Sequence, residues 1–123
     1  MPSHRFGKGQ RVRRREDFKA VFDNGVRVSS RYFTLLLAPK AGSPLRLGIV
    51  ASRKLGDAVH RNRAKRLIRE IFRLNQPLPG GVGIDLIVIP RRELFNAHFT
   101  AIDEDFRAAW RRAAARLPVR HAG

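Results

Sequence analysis

The amino-acid sequence predicts an α/β chain, more narrowly an α+β two-layer sandwich with the element order α-β-β-α-β-α. Three observations carry this. Residues 58–74 and 100–117 each place apolar side chains three and four apart, as a helix with one buried stripe requires. Residues 31–38, 45–52 and 84–89 are short apolar or alternating runs bounded by Pro and Gly, as strands are. The chain has 123 residues, 43% of them hydrophobic, which suits one domain around one modest core.

Taken in order, residues 1–14 are basic and Gly-containing without periodicity. They and residues 118–123 are expected to be flexible ends of a single domain spanning 1–123. A first helix is expected over 16–24, where Phe18, Val21 and Phe22 form one stripe. Asn24-Gly25 stops it, with Gly25 able to take a left-handed cap. Residues 31–38 read as a strand ended by Pro39, and 40–44 as a turn rich in Gly, Ser and Pro. Leu45, Leu47, Ile49 and Ala51 then alternate with Arg46, Gly48, Val50 and Ser52, a second strand. These two strands are expected to pair as an antiparallel hairpin.

Helix 58–74 follows. Pro77, Pro79, Gly80 and Gly81 break the chain, and a third strand over 84–89 ends at Pro90. A short helical turn is expected over 91–97 and a last helix over 100–117. On that helix Phe99, Ile102, Phe106, Ala109, Trp110, Ala113 and Leu117 share a face, and Thr100 is the expected N-cap. Asp103, Glu104 and Asp105 lie early and Arg111, Arg112 and Arg116 late, as the helix dipole prefers.

Lys and Arg number 26 against 10 Asp and Glu, a formal net charge of +16, and 21 of the 26 are Arg. Such an excess attracts polyanions. The planar guanidinium fork matches phosphate geometry and stacks on bases. Nucleic acid is the first partner this implies and an anionic membrane surface the second. The absence of Cys excludes disulfides, thiolate zinc sites and Cys nucleophiles. The longest apolar runs, 35–38 and 86–89, fall far short of the roughly 20 residues that span a bilayer. No apolar stretch follows the basic N-terminus, so no signal peptide is expected. The expected location is cytoplasmic.

The most informative stretch is 52–70. On a wheel of about 100° per residue, Ala64, Leu67, Ile68, Ile71 and Phe72 cover one side of the helix. Arg61, Asn62, Lys65, Arg66, Arg69 and Arg73 cover the other, interrupted only by Glu70. A solvated face ordinarily mixes signs, because like charges four apart, such as Arg61 and Lys65, cost a few tenths of a kcal/mol. A locally unfavourable face is explained by an anionic partner. Asn62 adds a donor and acceptor for a base edge or a 2′-hydroxyl.

The same stretch resembles the signature of the bacterial ribonuclease P protein family, a basic pair and a glycine followed by an Arg-Asn-x-x-Lys-Arg-x-x-Arg helix. The matching residues are Arg53, Lys54, Gly56, Arg61, Asn62, Arg63, Lys65, Arg66 and Arg69. Glu16-Asp17-Phe18 with Val21-Phe22 is similar to the family's first helix. Arg31 and Phe33 are similar to its first long strand, Leu45-Arg46-Leu47-Gly48 to the next, and Trp110-Arg111-Arg112 to its last helix.

The resemblance implies a protein subunit of ribonuclease P, which matures the 5′ end of tRNA by endonucleolytic cleavage. The expected partners are ribonuclease P RNA and precursor tRNA, with no membrane and no small-molecule substrate. The catalytic centre would lie in the RNA, with magnesium serving the RNA-based reaction, no catalytic residue in the protein and no metal ligand assigned to it. The RNA would lie on Arg53, Lys54, Arg61, Asn62, Arg63, Lys65, Arg66 and Arg69. The single-stranded 5′ leader would enter a cleft of Phe18, Phe22, Arg31, Phe33, Leu36, Arg46, Val50 and Ser52, where aromatic faces stack bases. Leu36 departs from relatives that carry an aromatic residue there. An apolar helix stripe is ordinarily core, so Phe18 and Phe22 can each bury one edge and keep one face open. The resemblance also implies a mixed sheet with a left-handed βαβ crossover, where general rules favour a right-handed one.

Chemistry within the chain itself finds little support. His4, His60, His98 and His121 are scattered and make no metal-ligand spacing. Asp103, Glu104 and Asp105 are consecutive and read as helix N-terminal charges. Gly80-Gly81-x-Gly83 precedes a strand, so it is no phosphate loop. The alternative function is a non-catalytic structural RNA-binding protein of ribosomal type. A membrane-surface helix would need bulky apolar residues free for lipid, and the core claims Leu67, Ile68, Ile71 and Phe72.

Overall fold

Two strands carry long apolar runs and are buried nearly throughout, and such strands must be covered on both faces. They form the centre of the sheet. The structure, a computed structural model, describes residues 10–76, 78 and 81–117. Helix α1 (Arg15–Asn24) leads to strands β1 (Val26–Ser29), β2 (Phe33–Pro39) and β3 (Arg46–Ile49). A 3-10 turn at Arg53–Leu55 precedes helix α2 (Ala58–Leu74). Strand β4 (Ile84–Pro90), a second 3-10 turn at Arg92–Asn96 and helix α3 (Phe99–Arg116) complete the order. The strands lie β1-β2-β4-β3, with β2 and β4 central.

The α+β class is as the sequence predicts and the mixed sheet as the resemblance implies, but the expected order α-β-β-α-β-α misses the short edge strand β1, and the pairing differs from the expected hairpin. β2 pairs antiparallel with β1 and β4, and β3 lies parallel to β4, not beside β2. The register sets Leu36 opposite Ile87 and Arg46 opposite Asp85. The apolar run of β4 needs a neighbour on each edge, so it inserts between β2 and β3, and α2 becomes the crossover. The true hairpin partner of β2 is β1, whose Val-Arg-Val-Ser alternation is a short edge-strand signature.

Alternation of side chains then divides the core. Phe33, Leu35 and Leu37 of β2, with Ile84, Leu86 and Val88 of β4, join Ala64, Ile68, Ile71 and Phe72 of α2 in one cluster. Ile102, Phe106, Ala109, Trp110 and Ala113 of α3 complete it. Phe33 and Phe106 meet edge to face, centroids 6.0 Å apart, a geometry that adds about 0.5–1.5 kcal/mol beyond area burial. Leu36, Ala38 and Ile87 face the other way, where Val21 of α1 covers them.

Several local expectations are corrected. Gly25 is extended (φ −81°), not left-handed, and its carbon is needed small because a Cβ would strike the Val21 carbonyl. α3 starts at Phe99 with His98 in the N-cap position and no side-chain cap, so Thr100 caps nothing. The acidic run does not serve the dipole as expected, because α3 begins at Phe99 and holds no acid in its first turn. Asp105 accepts from Ser30 Oγ at 2.7 Å and Tyr32 N at 3.0 Å, pinning the β1–β2 turn. Asp103 accepts from Asn75 Nδ2 at 2.7 Å, pinning the end of α2. Residues 1–9 and 118–123, expected to be flexible, lie outside the described residues. Part of the expected flexible lead-in is paired: Val12 is buried and its N–H donates to Leu47 O at 2.9 Å.

Candidate nucleic-acid interface

The approach to α2 is built to present charge. Leu55 is buried and anchors the 3-10 turn, which leaves its neighbours Arg53 and Lys54 exposed. Ser52 is exposed, and its Oγ accepts from Lys54 N at 3.3 Å. Gly56 takes φ +129°, which side chains disfavour, and turns the chain into the helix. Asp57 is the N-cap: Oδ1 accepts from His60 N at 3.0 Å and lies 2.8 Å from His60 Nδ1. These bonds, the backbone one foremost, hold the Asp57 carboxyl below its ordinary pKa.

From there α2 buries Ala64, Ile68, Ile71 and Phe72 and turns Asn62, Arg63, Arg66 and Arg69 to solvent. Lys65 and Arg61 are half-buried on one flank, and Arg61 Nη1 donates to Gly56 O at 3.4 Å. Arg63 is held over the Phe95 ring, 5.9 Å from its centroid. Arg73 differs from the others: it bonds Glu70 at 2.6 and 3.1 Å, and the bond from Arg73 holds Glu70 below the ordinary carboxylate range. Among the described residues no carboxylate pairs with Arg53, Lys54, Arg61, Arg63, Lys65, Arg66 or Arg69. Their charge remains available to an anion.

On the opposite sheet face α1 buries Val21, half-buries Phe18 and leaves Phe22 44% exposed. Below them lie Leu36, which is buried, and half-buried Val50. Arg46 is on this face too, but its guanidinium is committed to Asp85 at 2.6 and 2.7 Å and to Asp17 at 3.3 Å. Phe33 does not belong to the cleft. It is fully buried on the α2–α3 face, since residues 33 and 36 of one strand point to opposite sides. Arg31 sits in the β1–β2 turn, exposed over the Tyr32 ring. The structure thus brings Phe18, Phe22, Leu36, Val50 and Arg46 to one face, sets Ser52 at the approach to α2, and separates Phe33 from them.

The two regions meet at the outer edge of β3. Arg11 bridges Leu47 in parallel fashion. A depression of about 260 Å3 there is lined by Arg11, Arg13, Phe18, Gly48, Lys65 and Arg69. Gly48 is needed small here, because a Cβ would lie 2.9 Å from two Phe18 ring atoms. Arg11 and Arg13 escape sequence reading because they precede any periodic element. The only signal they carry is the dense run of arginines over 11–15.

Among the described residues no helix is long and apolar enough to cross a membrane, and no three His, Asp or Glu residues converge on a common point as metal ligands would.

Comparison with known proteins bears directly on these surfaces. The sequence model of the family described as Ribonuclease P matches residues 6–114. The ribonuclease P protein component of Azotobacter vinelandii is 39% identical over 120 residues, covering 96% of this chain and 91% of that protein. That of Desulfatibacillum aliphaticivorans is 49% identical over 76 residues, 62% of this chain and 64% of that protein. The solved RNase P protein of Thermotoga maritima superposes with a TM-score of 0.74 at 35% identity, covering 88% of this chain and 98% of that one. Family match, relatives and fold agree with the basic helix and its signature: this chain belongs to the ribonuclease P protein family, whose members are the protein subunit of that enzyme and the partner of its RNA.

Proposed function

We propose that this chain holds ribonuclease P RNA on α2 and its approach while guiding the 5′ leader of precursor tRNA into the cleft between α1 and the sheet. The observation that carries the reading is the depression at the β3 edge. Lys65 and Arg69 of the RNA face and Phe18 of the leader cleft share its walls, so a leader in the cleft runs beside the RNA that cuts it. Arg53, Lys54, Arg61, Asn62, Arg63, Lys65, Arg66 and Arg69 are the RNA contacts, the arginines binding phosphates and Asn62 a base edge or 2′-hydroxyl. Phe18, Phe22, Val50 and Leu36 form the leader surface. Phe22 offers an open ring for stacking, worth roughly 1–3 kcal/mol per base. Ser52 and Arg31 flank the path, and Arg46 shapes its floor.

Cleavage belongs to the RNA in this reading. Magnesium serves that RNA-based reaction. The setting is the cytoplasm, where tRNA precursors are made. The test mixes the protein, ribonuclease P RNA and a precursor tRNA at low magnesium and fixed salt. Cleavage requiring both components, with precursor bound more tightly than mature tRNA, is the expected result. Equal affinity for the two tRNAs overturns the leader assignment.

A further inference from the structure

We infer that the groove between α2 and the 3-10 turn Arg92–Asn96 holds an unstacked nucleobase of the ribonuclease P RNA. The inference rests on the reading of α2 as the RNA-subunit face and adds to it a base-gripping subsite away from the leader cleft. The groove encloses about 490 Å3 between Arg63, Arg66, Leu67, Phe95, Phe99 and Ile102, within the roughly 300–1,000 Å3 of sites that take small ligands. Leu67, Phe95 and Ile102 are wholly or partly buried, whereas Phe99 is 41% exposed and lines the groove.

The rim is cationic where the floor is apolar. Arg63 lies over the Phe95 ring and Arg66 is exposed without a carboxylate partner among the described residues. Glu70 also reaches the rim, but its charge is offset by Arg73 at 2.6 Å. An apolar floor with aromatic walls and an arginine rim matches a nucleobase on its phosphate backbone: the π face stacks on the rings and the anion meets the guanidinium groups. An apolar peptide would meet the same floor but leave both arginines without an anion. The RNA subunit is the source because Arg63 and Arg66 belong at once to the groove and to the α2 face.

The test compares wild type with Phe99→Ala, Phe99→Trp and Phe95→Leu for binding to ribonuclease P RNA across a salt series. It also irradiates a complex whose RNA carries 4-thiouridine. Phe99 is partly exposed, so Phe99→Ala is expected to fold, and Phe95→Leu keeps an apolar filler while removing the ring. Phe99→Ala is expected to weaken binding roughly five- to a hundredfold without changing the salt slope. Phe99→Trp is expected to retain the affinity, and cross-links are expected in residues 94–102. Wild-type affinity in both Phe99→Ala and Phe95→Leu overturns the proposal, as do cross-links in this segment arising only from precursor tRNA. If Arg66→Ala and Arg69→Ala weaken binding while the Phe variants do not, the groove assignment alone fails. If none of the four has any effect, the reading of α2 fails.

Discussion

Arg46 and Asp85 are register partners on the parallel pair β3–β4, and the guanidinium grips the carboxylate with two hydrogen bonds of 2.7 and 2.6 Å. Asp85 is buried, and the bond to it raises the Arg46 pKa well above the ordinary arginine value, so the guanidinium stays charged. A charge-assisted fork of this kind is strong while intact, and removing one partner strands the other. Arg46→Ala should therefore cost about 3–5 kcal/mol, measured by urea unfolding. The double variant Arg46→Ala with Asp85→Ala should recover much of that loss. A loss under about 1 kcal/mol, the level of a surface pair, would show that the Arg46–Asp85 fork contributes little to holding β3 on β4.

Phe33 and Phe22 should part company in the same experiment. Phe33→Ala removes a fully buried ring from the α2–α3 face and should cost about 3–5 kcal/mol, while the remaining folded protein still prefers precursor over mature tRNA. Phe22→Ala touches a ring that is 44% exposed and should shift stability by under about 1 kcal/mol. Its effect is expected on the ratio of precursor to mature tRNA affinity. The opposite pattern would move the leader path to the other side of the sheet.

Gly48 supplies a third test, because it makes room for Phe18. A methyl group built on it lies 2.9 Å from the ring and 3.1 Å from Val12 Cβ. Gly48→Ala should cost about 1–3 kcal/mol as an overpacked contact and push the ring toward the depression at the β3 edge. Combining it with Phe18→Leu should be less destabilising than the sum of the two single changes. Strict additivity in thermal unfolding would mean that the ring and the glycine do not press on each other.

The sequence was most legible where one periodicity ran long. α2 is found over the expected residues 58–74 because its caps, stripe and breakers agree. The basic face is likewise readable because α2 has to bury Ala64, Ile68, Ile71 and Phe72, which leaves the arginines only the outside. Pairing was less legible. A short turn between β2 and β3 suggested a hairpin, and nothing local reports that β4 must enter between them. The evidence lay in a comparison of strands: β2 and β4 carry unbroken apolar runs over 35–38 and 86–89, whereas Arg46 opens the short β3 and Arg27 interrupts β1. The assignment of Phe33 failed on parity, which the sequence does contain, since residues 33 and 36 cannot share a strand face. Asp105 was out of reach, because its partners Ser30 and Tyr32 lie over seventy residues away.

The exposed cations of α2 differ from one another in a way that salt can read. Arg66 and Arg69 have no carboxylate partner among the described residues, whereas Arg73 is bonded twice by Glu70. Neutralising a phosphate releases condensed counterions, so each such contact steepens the dependence of log K on log salt by about 0.7–0.9. Arg66→Ala and Arg69→Ala should each weaken RNA binding and flatten that slope by this amount, in filter binding across a salt series. Arg73→Ala should leave the slope nearly unchanged, because its charge is already offset. It also frees Glu70 at the rim of the groove, so a small loss of affinity at low salt is expected from repulsion alone. Should Arg73→Ala flatten the slope as much as Arg66→Ala, the Glu70 pair opens on binding and Arg73 joins the RNA contacts. Unchanged slopes for Arg66→Ala and Arg69→Ala would mean that those two arginines are merely hydrated.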